Sequence, residues 1–288
     1  MTSRALVLGG GGPVGVAWQT GLLAGFAQAG VDLGQADHLL GTSAGAIVGA
    51  RLRLASRTAD LAEPLLAAPP QPPAAPAPPT PGAARMLELL GGARDASRNP
   101  ADLRRELGAL ALSSPTMPEE AFLALIAGAL HATGPLAWPE RDFACAAIDV
   151  EDGGFQIWQA ESGVDLLTAV ASSCAVPGIF PPVSVEGRRY MDGGMRSATN
   201  ADLAQGDDLV VILAVRIPGM PEELARLVDE EVEALKTAGS TAVLITPDEG
   251  SAAAMGLNLM DFGRSAEVAR AGLAQAASQA QVLGELWG

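Results

Sequence analysis

Apolar residues along the chain fall into two rhythms. Short runs bounded by glycine, proline or acidic residues occur at about 4–9, 37–41, 143–148, 154–158, 188–191, 209–215 and 242–245, and each predicts a strand. The runs at 209–215 and 242–245 are unbroken, as expected of buried strands in a parallel sheet. Those at 143–148 and 154–158 flank Glu151-Asp152-Gly153 and read as a hairpin. Between the runs, helical spacing takes over. Trp18, Leu22 and Phe26 recur at i, i+4 and i+8 in a helix that Gly30 ends, and a second helix runs from just after residue 43 to about 55. Further helical patterns lie at about 83–90, 100–112 and 118–131, Asp165 opens a short helix, and an acidic helix covers about 221–237. A long last helix lines up Ala269, Leu273, Ala276, Ala280, Leu283 and Trp287 on one face. Strands alternating with helices in this way predict an α/β fold.

One stretch breaks the alternation. From Pro64 to Pro81 the chain is proline-rich and low in complexity, so no helix or central strand is expected to contain it. It reads as a solvated linker or, more sharply, as the hinge of a lid. Together with the helical patterns after it, it makes an insertion at about 57–140, a helical cap placed between the second strand and the rest of the sheet.

Composition narrows the picture. A length of 288 residues suits one α/β domain spanning 1–288, and 49% hydrophobic residues with only 4% aromatic ones require a core of Ala, Val, Leu and close glycine contacts. The net charge of −15 argues against nucleic acid and against recruitment to anionic lipid, so any membrane contact has to be transient and apolar. Ala5-Leu6-Val7-Leu8 is too short for a secretory core, and no stretch reaches the ~18 apolar residues of a membrane span. Cys145 and Cys174 form no disulfide framework and no metal-ligand spacing, and both lie in apolar segments. The expectation is a cytoplasmic protein with buried free thiols, no metal and no cofactor. Nothing in the chain specifies an oligomer.

The chemistry concentrates in three turns at strand ends. Gly41-Thr42-Ser43-Ala44-Gly45 is a Gly-x-Ser-x-Gly pattern between a strand and a helix, where Gly41 and Gly45 leave room for a sharp turn that lifts the Ser43 hydroxyl to a helix N-terminus. Chance alone would place such a pattern about 0.2 times in this composition, so its context has to support it. The first context is Gly9-Gly10-Gly11-Gly12-Pro13-Val14-Gly15, a glycine loop between strand and helix. The second is Asp192-Gly193-Gly194, which ends the strand at 188–191. A nucleophile, a carboxylate base and backbone N–H groups for an oxyanion are the parts of an acyl-transfer site.

In this order and spacing, with the run Ser172-Ser173-Cys174-Ala175-Val176-Pro177-Gly178-Ile179-Phe180-Pro181-Pro182, the chain resembles the patatin-like phospholipase family over about residues 4–205. The resemblance implies a three-layer sandwich with a mostly parallel sheet between helices, and a serine acyl hydrolase acting on lipid or other fatty-acyl esters. It makes Ser43 the nucleophile, Asp192 its base and the N–H groups around Gly10, Gly11 and Gly12 the oxyanion hole, with Asn200 near the site. One position departs from the family. Where a basic residue usually precedes the last glycine of the loop stands Val14, and Pro13 has no N–H to offer, so the donors have to be the glycines before it.

Two other readings compete. Gly10, Gly12 and Gly15 also spell the dinucleotide fingerprint, with Asp32 about where a ribose-binding acid falls, and a catalytically silent binding protein would tolerate Val14. The histidines bear on mechanism: His38 lies too far back along its strand to reach Ser43, and His131 ends a helix in the insertion. No histidine follows the acid, so a Ser-Asp dyad fits and a Ser-His-Asp triad does not. A second Asp-Gly-Gly, at Asp152, lies in the hairpin turn and needs no function there.

Overall fold

The computed structural model describes residues 2–69, 78–91, 99–132, 136–217 and 222–288. Eight strands form one sheet: β1 (Arg4–Leu8), β2 (His38–Gly41), β3 (Ala144–Asp149), β4 (Phe155–Trp158), β5 (Val183–Val185), β6 (Arg188–Asp192), β7 (Leu209–Leu213) and β8 (Thr241–Ile245). The hydrogen-bonded path runs β5-β6-β3-β2-β1-β7-β8, with β4 also pairing β3. From β3 to β8 every pair is parallel, while β4, β5 and β6 are antiparallel to their neighbours.

The period-2 alternation of β1 and β7 builds the layers. Leu6, Leu8, Val211 and Leu213 face one core with α1 (Gly12–Gln28), α2 (Ala44–Leu54), α7 (Leu166–Ser173) and α10 (Ser265–Trp287). Ala5, Val7, Val210 and Ile212 face the other side, where Val232 and Leu235 of α8 (Glu222–Thr237) cover them. The result is the three-layer α/β arrangement expected. Close glycine contacts let α1 and α10 cross tightly, since a Cβ at Gly21 would lie 2.1 Å from the Ala269 carbonyl oxygen. Gln275 ties that side together, its Oε1 accepting from Trp18 Nε1 at 2.9 Å and Ser251 Oγ at 2.8 Å while its Nε2 donates to the Thr246 carbonyl at 2.7 Å.

The expected insertion is helical. It contains α3 (Glu63–Ala67), α4 (Pro81–Gly91), α5 (Pro100–Ser113) and α6 (Glu119–Ala129). Met86 and Leu89 of α4 and Leu103 and Leu107 of α5 pack on Ile148 and Met191, whereas Phe122 and Ile126 of α6 join the core on the opposite face. The insertion thus extends both helical layers over the β3-β6 end of the sheet. Much of the proline-rich run, 70–77, lies outside the described residues. Its two ends correct the expectation that no helix takes it up. Pro64 sits in the first turn of α3 and Pro81 opens α4, positions where a missing N–H costs nothing. The short helix α9 (Glu249–Met255) and the three-residue strand β5 go beyond the elements that the apolar pattern predicts, although Asp248, which accepts from Ser251 N at 2.7 Å, is an ordinary N-cap. Among the described residues no helix is long and apolar enough to cross a membrane.

One detail of the sheet decides where the site lies. Cys145 pairs with both Gly41 and Trp158, and Ile148 with both Met191 and Phe155. A strand has two edges, so β2 and β6 must share the edge of β3 that β4 does not occupy. On that edge β2 runs parallel and stops opposite Cys145, and β6 runs antiparallel and stops with Asp192 opposite Ala147. Their C-terminal ends therefore meet.

Candidate active site

Ser43 and Asp192 stand at that meeting point. Ser43 follows the end of β2 and is the N-cap of α2, with φ 54° and ψ −119°, a conformation rare for a residue with a side chain. The strain is held from one neighbouring segment. Ser173 Oγ accepts the Ser43 N–H at 3.0 Å, and Cys174 Sγ donates to the Ser43 carbonyl at 3.2 Å. Ser172 is fixed by accepting from Trp158 Nε1 at 2.9 Å and donating to the Ala169 carbonyl at 2.8 Å. In the sequence the Ser-Ser-Cys run is only part of a motif; in the fold its Ser173 and Cys174 clamp the elbow. No local pattern could have revealed it, because the contacts join segments about 130 residues apart.

The glycines of the elbow are required by contact. A Cβ at Gly45 would lie 2.0 Å from the Leu8 carbonyl oxygen, and one at Gly41 would lie 2.6 Å from the Ala46 Cα. These approaches bring the first turn of α2 against the end of β1 and so place Ser43 beside the glycine loop.

Asp192 is buried, 2% exposed. Its backbone N–H donates to the Ala175 carbonyl at 3.0 Å, and its Oδ1 accepts from Gly194 N at 2.7 Å. The Ser43 hydroxyl donates to the same carboxylate. Burial pushes the Asp192 carboxyl up to about 6, against the opposing pull of its hydrogen bonds from Ser43 and Gly194. A carboxylate with that value is half ionised near pH 6, within reach of the range in which a general base works best.

The glycine loop closes the third side. Gly10 N–H is taken by the Ala198 carbonyl at 2.8 Å, so of the three glycines expected to line an oxyanion hole this one is committed elsewhere. Gly11 and Gly12 remain, and among the described residues no group accepts from either N–H. Gly12, at φ 60°, opens α1, so both N–H groups lie at the positive end of that helix. Val14 is fully buried and its N–H reaches the Leu259 carbonyl at 3.4 Å; it contributes packing and no charge to this loop.

The other singled-out residues separate from the site. Asp152 caps its own hairpin turn, accepting from Gly154 N at 2.7 Å and pairing with Arg188 at 2.6 Å. His38 pairs with Asp207 at 2.8 Å at the start of β2, which raises its pKa. His131 is exposed just past α6. Asp32 accepts from Gly34 N at 2.9 Å, and nearby Asp37 N donates to the Arg4 carbonyl at 2.8 Å, at the start of β1. The glycine loop is at the other end of β1, so Asp32 cannot serve a ligand bound there. Asn200 does come to the site: its Nδ2 donates to Thr42 Oγ1 at 3.1 Å and to the Gly193 carbonyl at 3.4 Å, linking elbow and Asp-Gly-Gly turn.

Comparison with known proteins gives the family. No curated protein sequence matches the chain. Among solved structures, VipD from Legionella pneumophila is similar at 13% identity and a TM-score of 0.47, covering 98% of this chain and 67% of its own. ExoU in its heterodimeric complex with SpcU, from the type III secretion system of Pseudomonas aeruginosa, shows 16% identity and a TM-score of 0.42, with 98% and 51% covered. The chain therefore spans between half and about two thirds of these neighbours' lengths. The patatin-like phospholipase model matches residues 6–204, which take in the glycine loop, the elbow, the 172–182 run and the Asp-Gly-Gly turn. By that match over well more than half its length, the chain belongs to the patatin-like phospholipase family.

Proposed function

We propose that the protein is a serine acyl hydrolase that cleaves fatty-acyl esters of lipids through a Ser43–Asp192 dyad. The observation that carries this reading is that β2 and β6 end against each other along one edge of β3, which brings the Ser43 hydroxyl to the buried carboxylate of Asp192. Asp192 takes the proton as Ser43 Oγ attacks the ester carbonyl, and the resulting oxyanion is held by the Gly11 and Gly12 N–H groups. Collapse breaks the bond to the leaving alkoxide, which receives the proton from Asp192 and departs as an alcohol. Asp192 then deprotonates a water that attacks the acyl-enzyme, and the proton passes back to Ser43 as the fatty acid leaves. No histidine is needed in either half.

The reading treats 1–288 as one unit, supported by Leu283 and Trp287 of α10 sharing a core with Trp18 and Leu22 of α1. It takes the 57–140 insertion as the element that shapes the acyl site, supported by the docking of α4 and α5 on Met191, next to Asp192. Two buried free thiols suit a reducing cytoplasm. Val14 favours the rival reading of a silent binding protein on the same fold. A fluorophosphonate separates the two: intact mass should show one adduct, and peptide mapping should place it on Ser43. An adduct on another serine, or no adduct, would overturn the hydrolase reading.

A further inference from the structure

Beyond the dyad and the glycine loop, all three site loops touch one segment, Ser197–Ala201. The Ala198 carbonyl accepts the Gly10 N–H at 2.8 Å. The Thr199 carbonyl accepts from Thr42 Oγ1 at 3.4 Å. Asn200, at φ 52°, bonds Thr42 and Gly193 through its side chain. Packing is as close as the bonding, since a Cβ at Gly9 would lie 3.0 Å from Thr199 Cγ2 and 3.1 Å from the Ala198 oxygen.

This segment has no regular secondary structure before Ala201, so something must fix it. Arg196 holds one end, donating to Asn200 Oδ1 at 2.8 Å and to Asp202. Its middle is fixed by a carboxylate from elsewhere in the chain. Glu231 of α8 accepts from Thr199 Oγ1, from Ala201 N at 3.1 Å, and from the Ser197 side chain. Three donors on alternate residues of one segment converge on a single side chain, and only an ionised carboxylate has the acceptor capacity for all of them without offering a competing donor.

We infer that Glu231 is a positioning residue for hydrolysis: through Ser197–Ala201 it holds the oxyanion loop, the nucleophile elbow and the Asp-Gly-Gly turn in register. The inference rests on the hydrolase reading above for its kinetic consequence, and on the hydrogen-bond chain for its structural one. Glu231 lies outside the 6–204 family match, so in this chain part of the site is held from a segment beyond the matched region.

Glu231→Gln keeps size and shape but replaces one acceptor oxygen with an N–H₂ facing the same donors. Turnover on a short-chain ester should fall by about 10- to 100-fold with KM changed less than about twofold, because misplacement of an oxyanion donor is felt in the transition state. Affinity for a boronic acid that forms a tetrahedral Ser43 adduct should fall by the same factor. Glu233→Gln, on an exposed position of the same helix, should change neither. Independently of activity, hydrogen exchange across residues 9–15 and 41–45 should speed up about tenfold or more in Glu231→Gln. Thr199→Val, which removes a single donor, provides the same readouts with smaller effects in the same direction if the first variant does not fold. Exchange and boronate affinity unchanged in a folded variant would overturn the inference. Failure of the unmodified protein to label at Ser43 would overturn the hydrolase reading instead, leaving the exchange result to decide the brace.

Discussion

Asp192→Asn should lower turnover by a factor on the order of 10² or more, and at neutral pH the same change should stabilise the fold. The two effects have one cause. Asp192 is buried against its Ser43 and Gly194 partners, and burial raises its pKa to about 6. A raised value means that the folded state prefers the protonated acid, so the stability this group contributes is full below its ordinary value and is lost as pH rises through about 6. Above that point the ionised carboxylate costs roughly 3 kcal/mol, taking about 1.4 kcal/mol per pH unit. Asparagine cannot ionise and still accepts from Gly194 N, so its melting temperature should exceed that of the parent at pH 7–8 and converge with it near pH 4. Activity needs the opposite state: kcat/KM of the parent should rise with pH through about 6 and then level. Ser43→Ala should lose at least as much turnover as Asp192→Asn, and the double variant little more than either, as for groups that act as a unit. Kinetics on a soluble ester and thermal melts over pH 4–8 check all of this. An Asp192→Asn protein with undiminished turnover would remove the carboxylate from the mechanism.

Gly45→Ala is the second large effect, and it acts on folding. The added methyl would sit 2.0 Å from the Leu8 carbonyl oxygen and 2.4 Å from its carbon, both backbone atoms of a central strand with neighbours on each side. Neither can yield without displacing the sheet. The expected cost is about 3 kcal/mol or more, read as a lowered denaturant midpoint or as loss of soluble protein. Gly128→Ala provides the contrast. That position lies within α6 with nothing inside 4 Å of the new methyl, so the usual helix preference for alanine should stabilise the fold by about 0.5–1 kcal/mol. Equal effects from the two substitutions would mean that the close approach at the elbow does not matter.

Much of this was legible in the chain itself. β1, β2, β7 and β8 are short apolar runs that need two covered faces, and their residues alternate between the two cores. The elbow and the Asp-Gly-Gly turn could be located because glycine at strand ends is punctuation that a local reading detects. Apart from the meeting of Ser43, Asp192 and Asn200, which the family resemblance implied, the contacts between distant segments stayed hidden. Gly10 looks like Gly11 in the sequence, and only the Ala198 carbonyl, far along the chain, takes its N–H away. Ser173 and Glu231 are ordinary polar residues in ordinary helices. Their roles depend on which loop each one faces, and a hydrogen bond across the fold leaves no periodicity to read.

The end-to-end meeting of β2 and β6 along one edge of β3 has a consequence for how this protein can change over time. The separation of Ser43 from Asp192 is measured out on β3, between Cys145 and Ala147, and not along the chain that joins them. That chain holds the whole proline-rich and helical insertion, yet its length never enters the geometry of the two groups. Loops and helices there can be lengthened, shortened or exchanged while β3 keeps both partners, so the insertion is free to diversify while the spacing of Ser43 and Asp192 stays fixed.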